Sequence, residues 1–299
     1  MSASVIIPTY QGAQRIVAAL DALQKQTQKD FEVILVIDGS TDDTAEIVRN
    51  LKLKGAFHVV EQPNKGRAAA RNAGAKRATG SLLVFYDDDM LPASDSFEKH
   101  VAFHTEHPHS ILIGNAPQSI KDNSSDFYQY RAHLSMEWIR NYPDTPFPLQ
   151  KDNLFMTAAN CSMEKADFEQ LKGFAEELPD AEDKEFGIRA FKKQIPLFFD
   201  KNNKAWHDES ITCRSYIRRL RQYAAANKVV GAMHPEFATP DASRNSRTKK
   251  RVYRWLASSW WVEIVDHFPF LFIVPKKIRY TLYGAITFTL SEVYPEVVI

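Results

Sequence analysis

Cysteine is scarce in this chain: two residues in 299, Cys161 and Cys213, far apart and in no C-x-x-C arrangement. That excludes a small scaffold built on disulfides, and the two are read as buried, reduced thiols. Glycine is sparse too, at 11 residues. No G-x-G-x-x-G follows the first strand-like run, and there is no G-x-x-x-x-G-K-[ST] and no G-x-S-x-G, which argues against nicotinamide enzymes and P-loop kinases and removes the nucleophile elbow. Net charge is nearly absent: 38 basic minus 37 acidic side chains gives +1. A balanced surface does not hold nucleic acid by bulk electrostatics, so none is expected as a partner. Long apolar runs are missing as well. Phe268 to Val274 and Tyr283 to Leu290 are too short or too polar to cross a bilayer, which needs about 20 residues. Met1 to Ser4 carries no basic segment leading into an apolar one, so no secretory leader is read and the expected compartment is the cytoplasm.

What is present is an ordinary globular composition, 44% apolar and 25% charged, with length for one large domain or two smaller ones. The first half alternates strands and helices. Val5 to Pro8, Phe31 to Ile37, Phe57 to Val60 and Ser81 to Tyr86 are short apolar runs of the buried-strand kind. Between them, Ile16, Leu20 and Leu23, then Ala45, Val48 and Leu51, then Arg67 to Ala78 carry helical spacing. This alternation predicts parallel βαβ units in a covered sheet. Further on, Leu154 to Asn160 is read as a strand, Glu182 to Lys193 as a helix, and Asp122 to Gln150 as an irregular, Pro-punctuated excursion. His100, His104, His107 and His109 cluster without a cysteine or an H-E-x-x-H glutamate; they are read as a helix face and its C-terminal turn, not as a zinc site.

In an open parallel sheet, ligands bind beyond the carboxyl ends of the strands. Thr9 and Tyr10 follow the first strand, Asp38 ends the second, and Asp87-Asp88-Asp89 follows the fourth. Three adjacent carboxylates repel one another, and a hard divalent ion, Mg²⁺ or Mn²⁺, is the natural compensator; the alternative is a solvated turn before Pro92. Asp38 can accept hydrogen bonds from a base or ribose. Lys65, Gly66 and Arg71 sit where a loop enters a helix, an arrangement suited to a diphosphate or simply to a solvated helix face. Glu182-Asp183 opens a helix, where a carboxylate is either plain N-terminal charge or a general base. His207 follows an apolar run and an apparent loop.

Taken in order, VIIPTY, VIDGSTDDT, NKGRAAARNAGAKRATG, FYDDDML, TAANCSMEKADFEQLKGF, the Glu182-Asp183 pair with Arg189, and WH form a pattern that resembles the family 2 glycosyltransferases. The resemblance spans roughly Val5 to His207. It implies a GT-A-type α/β fold, a Rossmann-like, mixed but mostly parallel sheet flanked by helices, here followed by a mainly helical C-terminal region. It implies an inverting transferase that moves a sugar from a nucleotide-diphosphate sugar, UDP favoured, to an acceptor hydroxyl. Pro8, Thr9 and Tyr10 would then line the nucleotide pocket, with Asp38 on the base and Arg71 near base and phosphates, beside Lys65 and Gly66 as the donor contacts the loop itself offers. Asp87, Asp88 and Asp89 match the D-x-D element, with Asp88 facing ribose and Asp89 holding Mn²⁺ or Mg²⁺. Asp183 matches the catalytic base, and His207 a position that completes the metal or phosphate site in some members. Cys161 falls in a segment behind the acceptor site.

The implied organisation is a catalytic domain over 1–210, with a nucleotide-sugar half of about 1–115 and an acceptor half of about 116–210, then a basic, aromatic region over 211–299. Arg218 to Tyr223 only echoes the Q-x-x-R-W element of processive members, so a single sugar addition is expected. The Arg- and Trp-rich tail suggests either contact with an anionic surface at the inner face of a membrane or packing of its aromatics on the catalytic domain or on a second subunit. The expected acceptor is a glycan or lipid-linked molecule, in cell-surface polysaccharide or glycolipid assembly, and a protein stays open as the alternative. The rival readings are an inactive nucleotide- or glycan-binding module and a sugar-nucleotide pyrophosphorylase; the latter wants a Gly- and Arg-rich loop that Thr9 to Ala13 does not supply.

Overall fold

A computed structural model describes residues 2–120, 124–238, 247–268 and 273–299. Asp122, where the expected excursion begins, Arg244, where the basic tract begins, and much of Phe268 to Val274 lie outside the described residues. The described chain forms two compact units. One holds Met1–Ser119 and Ile139–Asp208, the other Ile120–Trp138 and Glu209–Ile299.

The first unit is built on a nine-stranded mixed sheet. Its strands are β1 (Ala3–Thr9), β2 (Glu32–Asp38), β3 (Ala56–Gln62), β4 (Leu82–Tyr86), β5 (Met90–Pro92), β6 (Ile111–Asn115), β7 (Phe147–Pro148), β8 (Asn160–Glu164) and β9 (Leu197–His207). Their order is β3-β2-β1-β4-β8-β6-β9-β5, with β7 paired to β9. The four strands β3, β2, β1 and β4 are parallel, as the alternation predicts. β8 then enters antiparallel between β4 and β6.

The strands read as continuous apolar runs because both sheet faces are covered. Ile6, Ile34, Val36, Leu83 and Phe85 point into one core, against the alanines of α3 (Arg67–Arg77) and the rings of Phe168, Phe174 and Phe186. Val5, Ile7, Val33, Leu35 and Val84 point into the other, against Ile16, Leu20 and Leu23 of α1 (Ile16–Gln24) and Phe97 of α4 (Ser96–Glu106). The remaining helices of this unit are α2 (Thr44–Asn50), α6 (Lys165–Gln170) and α7 (Glu182–Lys192).

Three expectations need correction. The strand placed over Leu154 to Asn160 lies further on, at β8. Its polar residues Asn160 and Ser162 face a polar helix, so the segment lacks an apolar run. His100 of α4 bonds Ser162 Oγ at 2.7 Å and Asn160 Oδ1 at 2.9 Å, and His104 bonds Ser162 Oγ at 2.8 Å. The apparent loop before His207 is strand: His207 ends β9, an 11-residue strand whose polar stretch hid its second half. The excursion after Asp122 contains a 14-residue helix, α5 (Asp126–Ile139).

The second unit is helical: α5, α8 (Cys213–Met233), α9 (Arg247–Leu256), α10 (Trp260–His267) and α11 (Lys276–Phe288). Its core gathers Phe127, Tyr128 and Tyr130 of α5 with Ile217, Trp261, Tyr280 and Tyr283. Asp126 accepts hydrogen bonds from Arg279 at 2.7 Å and from the Tyr283 hydroxyl at 2.8 Å. Among the described residues no helix is long and apolar enough to cross a membrane. Cys161 and Cys213 are free and buried.

Candidate functional site

The expected site residues gather at the carboxyl ends of β1, β2 and β4 and the facing end of β9, all within the first unit. Two loops meet above β1 and β2. Gly12 N–H donates to Thr44 Oγ1 at 2.9 Å and Ala13 N–H to Asp42 at 3.1 Å, while the Gln11 side chain accepts from the N–H groups of Thr41 and Asp42. Pro8 and Thr9 are buried beneath this latch, and Tyr10 is exposed beside it.

Asp38 is buried, and its carboxylate is occupied by this chain's own donors: Gln62 Nε2 at 2.7 Å and the N–H groups of Lys65 and Gly66 at 2.9 and 2.8 Å. Gly66 adopts a φ of +88° at the mouth of α3, a conformation glycine takes without steric cost. In the loop expected to suit a diphosphate, these two N–H groups are therefore turned onto Asp38. Lys65 itself is exposed.

The acidic triplet is split three ways. Asp87 bonds Arg71 at 2.5 Å. Burial works against its ionised form, but the Arg71 guanidinium outweighs that and holds its pKa below the usual carboxylate range. Asp88 turns back under the latch, accepting from Thr9 Oγ1 at 2.6 Å and Arg15 at 3.1 Å. Burial still pushes it above the usual value, with the charge of Asp89 adding to the rise. Asp89 presents a buried Oδ1 with no hydrogen-bond partner, 3.7 Å from His207 Nδ1. The antiparallel pairing of Met90 with His207 sets these two side by side.

Arg71 joins the triplet to the second acidic motif. It is buried, and its other arm bonds Glu182 at 2.5 Å. Glu182 is thereby ion-paired inside the protein, which leaves Asp183 as the half-buried carboxylate of the two. Burial and the neighbouring Glu182 charge push the Asp183 pKa up to about 6, against the opposing pull of Arg71 and of the Lys184 N–H. The helix reaches this position through Ala181, whose φ of +60° turns the chain sharply into α7. Arg189 faces elsewhere: it pairs with Glu185 at 2.8 Å and bonds the carbonyl groups of Leu171 and Gly173, bracing the turn after α6.

The structure thus brings Asp87, Asp89, Arg71, Asp183 and His207 together and leaves Lys65 and Tyr10 on the rim. The sequence reading missed Arg15, the cation on Asp88, and the Gln11–Thr44 latch. No sequence pattern announces either, since both pair residues some 30 or more positions apart. The Arg71–Glu182 bond is the same kind of omission: both residues had been singled out, but not as partners.

The chain is similar to known proteins in both fold and sequence. Over 98% of this chain and 90% of the other, the structure superposes on Staphylococcus aureus TarS 1–349 with a TM-score of 0.57 at 20% identity. A mannosyltransferase from Pyrobaculum calidifontis, solved with GDP-Man and Mn²⁺, matches with a TM-score of 0.59 at 18% identity, over 96% of this chain and 85% of that one. At such identities the likeness is one of fold, the GT-A arrangement. In sequence, the validoxylamine A glucosyltransferase of Streptomyces hygroscopicus subsp. jinggangensis is 29% identical over 220 residues, 65% of this chain and 52% of that protein. A glycosyltransferase of Rickettsia felis with no assigned activity is 38% identical over 103 residues, 34% of this chain and 17% of that protein. The matches span about half or less of these relatives' length. The family model of glycosyl transferase family 2 matches residues 4–172, more than half of the chain and the segment that carries both strand-end loops and the acidic triplet, and the chain belongs to that family.

Proposed function

We propose that this chain transfers a single sugar from a nucleoside-diphosphate sugar to an acceptor hydroxyl, with inversion at the anomeric carbon. The observation that carries this is Asp183: a half-buried carboxylate with its pKa raised to about 6, tied through Arg71 and Glu182 to the triplet at the end of β4. Such a group is ionised at neutral pH yet basic enough to take a proton from an attacking hydroxyl. One base on the face opposite the leaving group is what direct displacement needs, unlike the two carboxylates of a hydrolase.

On this reading the donor lies over the ends of β1, β2 and β4, in a nucleotide half of about 1–115, and the acceptor approaches from the half of about 116–210. Pro8, Thr9, Tyr10, Asp38, Lys65 and Gly66 border the base and ribose. Asp89, with its unbonded buried oxygen, and His207 fit a divalent ion, Mn²⁺ or Mg²⁺. Such an ion, when bound, supplies positive charge to the departing diphosphate. Asp88 keeps the latch closed under the ribose, and Arg71 fixes Asp87 and Glu182. TarS has been solved with UDP and with UDP-GlcNAc, and the mannosyltransferase with GDP-Man and Mn²⁺; these complexes support a nucleotide-sugar donor, with UDP the first candidate.

The acceptor class proposed is a glycan or lipid-linked sugar in surface polysaccharide or glycolipid assembly, reached from the cytoplasmic face of a membrane. Supporting this, Val252, Trp255 and Trp260 are exposed on or beside the Arg- and Lys-rich α9, and Phe268 and Ile273 are exposed further on. Flotation with anionic vesicles tests it: binding of the full chain, lost when Trp255 and Trp260 become serine, is expected.

Calorimetric titration with UDP, GDP, CDP and dTDP, with and without Mn²⁺, tests the donor site. One nucleotide is expected to bind in a metal-dependent way, with binding lost in Asp89→Ala. Asp183→Asn is expected to keep donor binding and lose about 10²–10⁴-fold in turnover. An α-linked product from an α-linked donor would overturn inversion.

A further inference from the structure

We infer that His109, Glu164 and Asp167 form a second divalent-metal site, of the zinc type, at the end of the sheet away from the donor-site carboxylates. The register of β4 with β8 pairs Tyr86 with Asn160 and Leu82 with Glu164. Glu164 therefore lies four strand residues, about 13 Å, from the end that carries Asp87. His109 shortly precedes β6, and Asp167 lies in the first turn of α6.

One ligand atom from each residue falls within 4.8 Å of the others. His109 Nδ1 is 3.5 Å from Glu164 Oε2 and 3.4 Å from Asp167 Oδ1. Ligands about 2.0–2.2 Å from a tetrahedral ion stand about 3.3–3.6 Å apart, so these separations are already those of a tetrahedral edge. A second observation is independent of that spacing. Asp167 is only 4% exposed, and its Oδ2 is buried without a hydrogen-bond partner. A carboxylate oxygen taken from water and given no donor is costly. The neighbouring imidazole reaches Oδ1, not Oδ2, whereas an ion beside the carboxylate supplies charge to the whole group. Glu164 is oriented toward the same point, because its Oε1 accepts the His109 backbone N–H at 3.1 Å, which turns Oε2 toward the imidazole. Bonds of this kind orient metal ligands from behind.

One imidazole nitrogen with two carboxylate oxygens suits Zn²⁺ and its transition-metal neighbours, whereas Mg²⁺ and Ca²⁺ take oxygen. The His109 side chain is mostly exposed, so a fourth position opens to water. Because the three ligands come from the connection before β6, the end of β8 and the start of α6, a bound ion ties three segments together, and the site reads as a structural clasp.

The test uses the full chain carrying Asp89→Asn, so that the donor-site carboxylate does not compete, after treatment with a chelator. Titration with Zn²⁺ at pH 7.5 is expected to show one equivalent bound and a rise in Tm, with no rise from Mg²⁺. Adding His109→Ala, or separately the near-isosteric Asp167→Asn, is expected to weaken Zn²⁺ binding at least tenfold and abolish the Tm rise. Co²⁺ in place of Zn²⁺ is expected to give the visible absorption of a four-coordinate site, lost in the same variants. No Zn²⁺ uptake by the Asp89→Asn chain, or equal uptake with and without His109, would overturn the site and leave a histidine–carboxylate ion pair in its place.

Discussion

Asp183 and Gly12 show how much at the residue scale depends on neighbours. The sequence places Asp183 at a helix N-terminus, where the dipole alone favours the ionised form. Burial and the Glu182 charge act the other way and win, lifting its pKa to about 6. Turnover per donor encounter is therefore expected to rise with pH through about 6 and level off above it, read as kcat/KM across pH 5 to 8. A profile already flat at pH 5 would remove Asp183 as the base. Stability follows the opposite sign. A carboxyl whose folded pKa exceeds its unfolded one binds more protons when folded, so it destabilises the protein above about pH 6. Asp183→Asn is thus expected to raise Tm at pH 7.5 while lowering turnover. Gly12 is a case of close approach. A Cβ there would press into Thr9 Oγ1 and stand 2.8 Å from Asp88 Oδ2. Gly12→Ala is expected to break the Thr9–Asp88 bond and weaken donor binding about tenfold or more by calorimetry. The carboxylates themselves were legible in the sequence because charge at a strand end is conspicuous. Arg15 was not, and Thr9 and Arg71 were singled out but not as partners of these carboxylates, since pairing depends on which strands become neighbours.

At the scale of elements, legibility followed the solvent. β1, β2 and β4 were readable because both of their faces meet apolar helices, which writes an unbroken apolar run. β8 was misplaced because its face toward α4 is polar: Asn160 and Ser162 meet His100 and His104 instead of leucines. The His100–His104 spacing, four apart, was correctly read as one helix face, but the face is buried, with no accessible surface at His100 and 1% at His104. Burial holds the His100 pKa near 3 and the His104 pKa near 4, so both are neutral in the folded protein. Unfolded histidine takes its proton near pH 6.5. The folded pKa values are the lower ones, so the stability tied to this pair is fully present above about pH 6.5. It is lost progressively as pH falls toward 4 and 3. Tm is expected to drop more steeply between pH 6.5 and 4.5 in the wild type than in a His104→Gln variant. Parallel curves would show that the pair titrates freely.

At the scale of the whole molecule, the two compact units do not follow the order of the chain. Composition shifts visibly near residue 211, which suggested a boundary there. Yet α5, far upstream, belongs to the helical unit through Phe127, Tyr128 and Tyr130, whose partners Ile217, Trp261, Tyr280 and Tyr283 all come after that boundary. Local periodicity could not reveal this, because aromatic residues on a helix look alike whichever unit buries them. The arrangement makes a specific prediction about truncation. A chain ending at Asp208 keeps the sheet, the triplet and Asp183 but strips α5 of its core and leaves Asp126 without Arg279 and Tyr283. Each bared aromatic forfeits about 1.5–3 kcal/mol of burial, and a contiguous apolar face of that kind drives association. The truncated chain is expected to aggregate or bind a hydrophobic dye. The same chain with 120–138 replaced by a polar linker of equal length is expected to stay soluble, with a cooperative thermal transition. If the simple truncation is soluble and monomeric with α5 intact, the helical unit does not own α5.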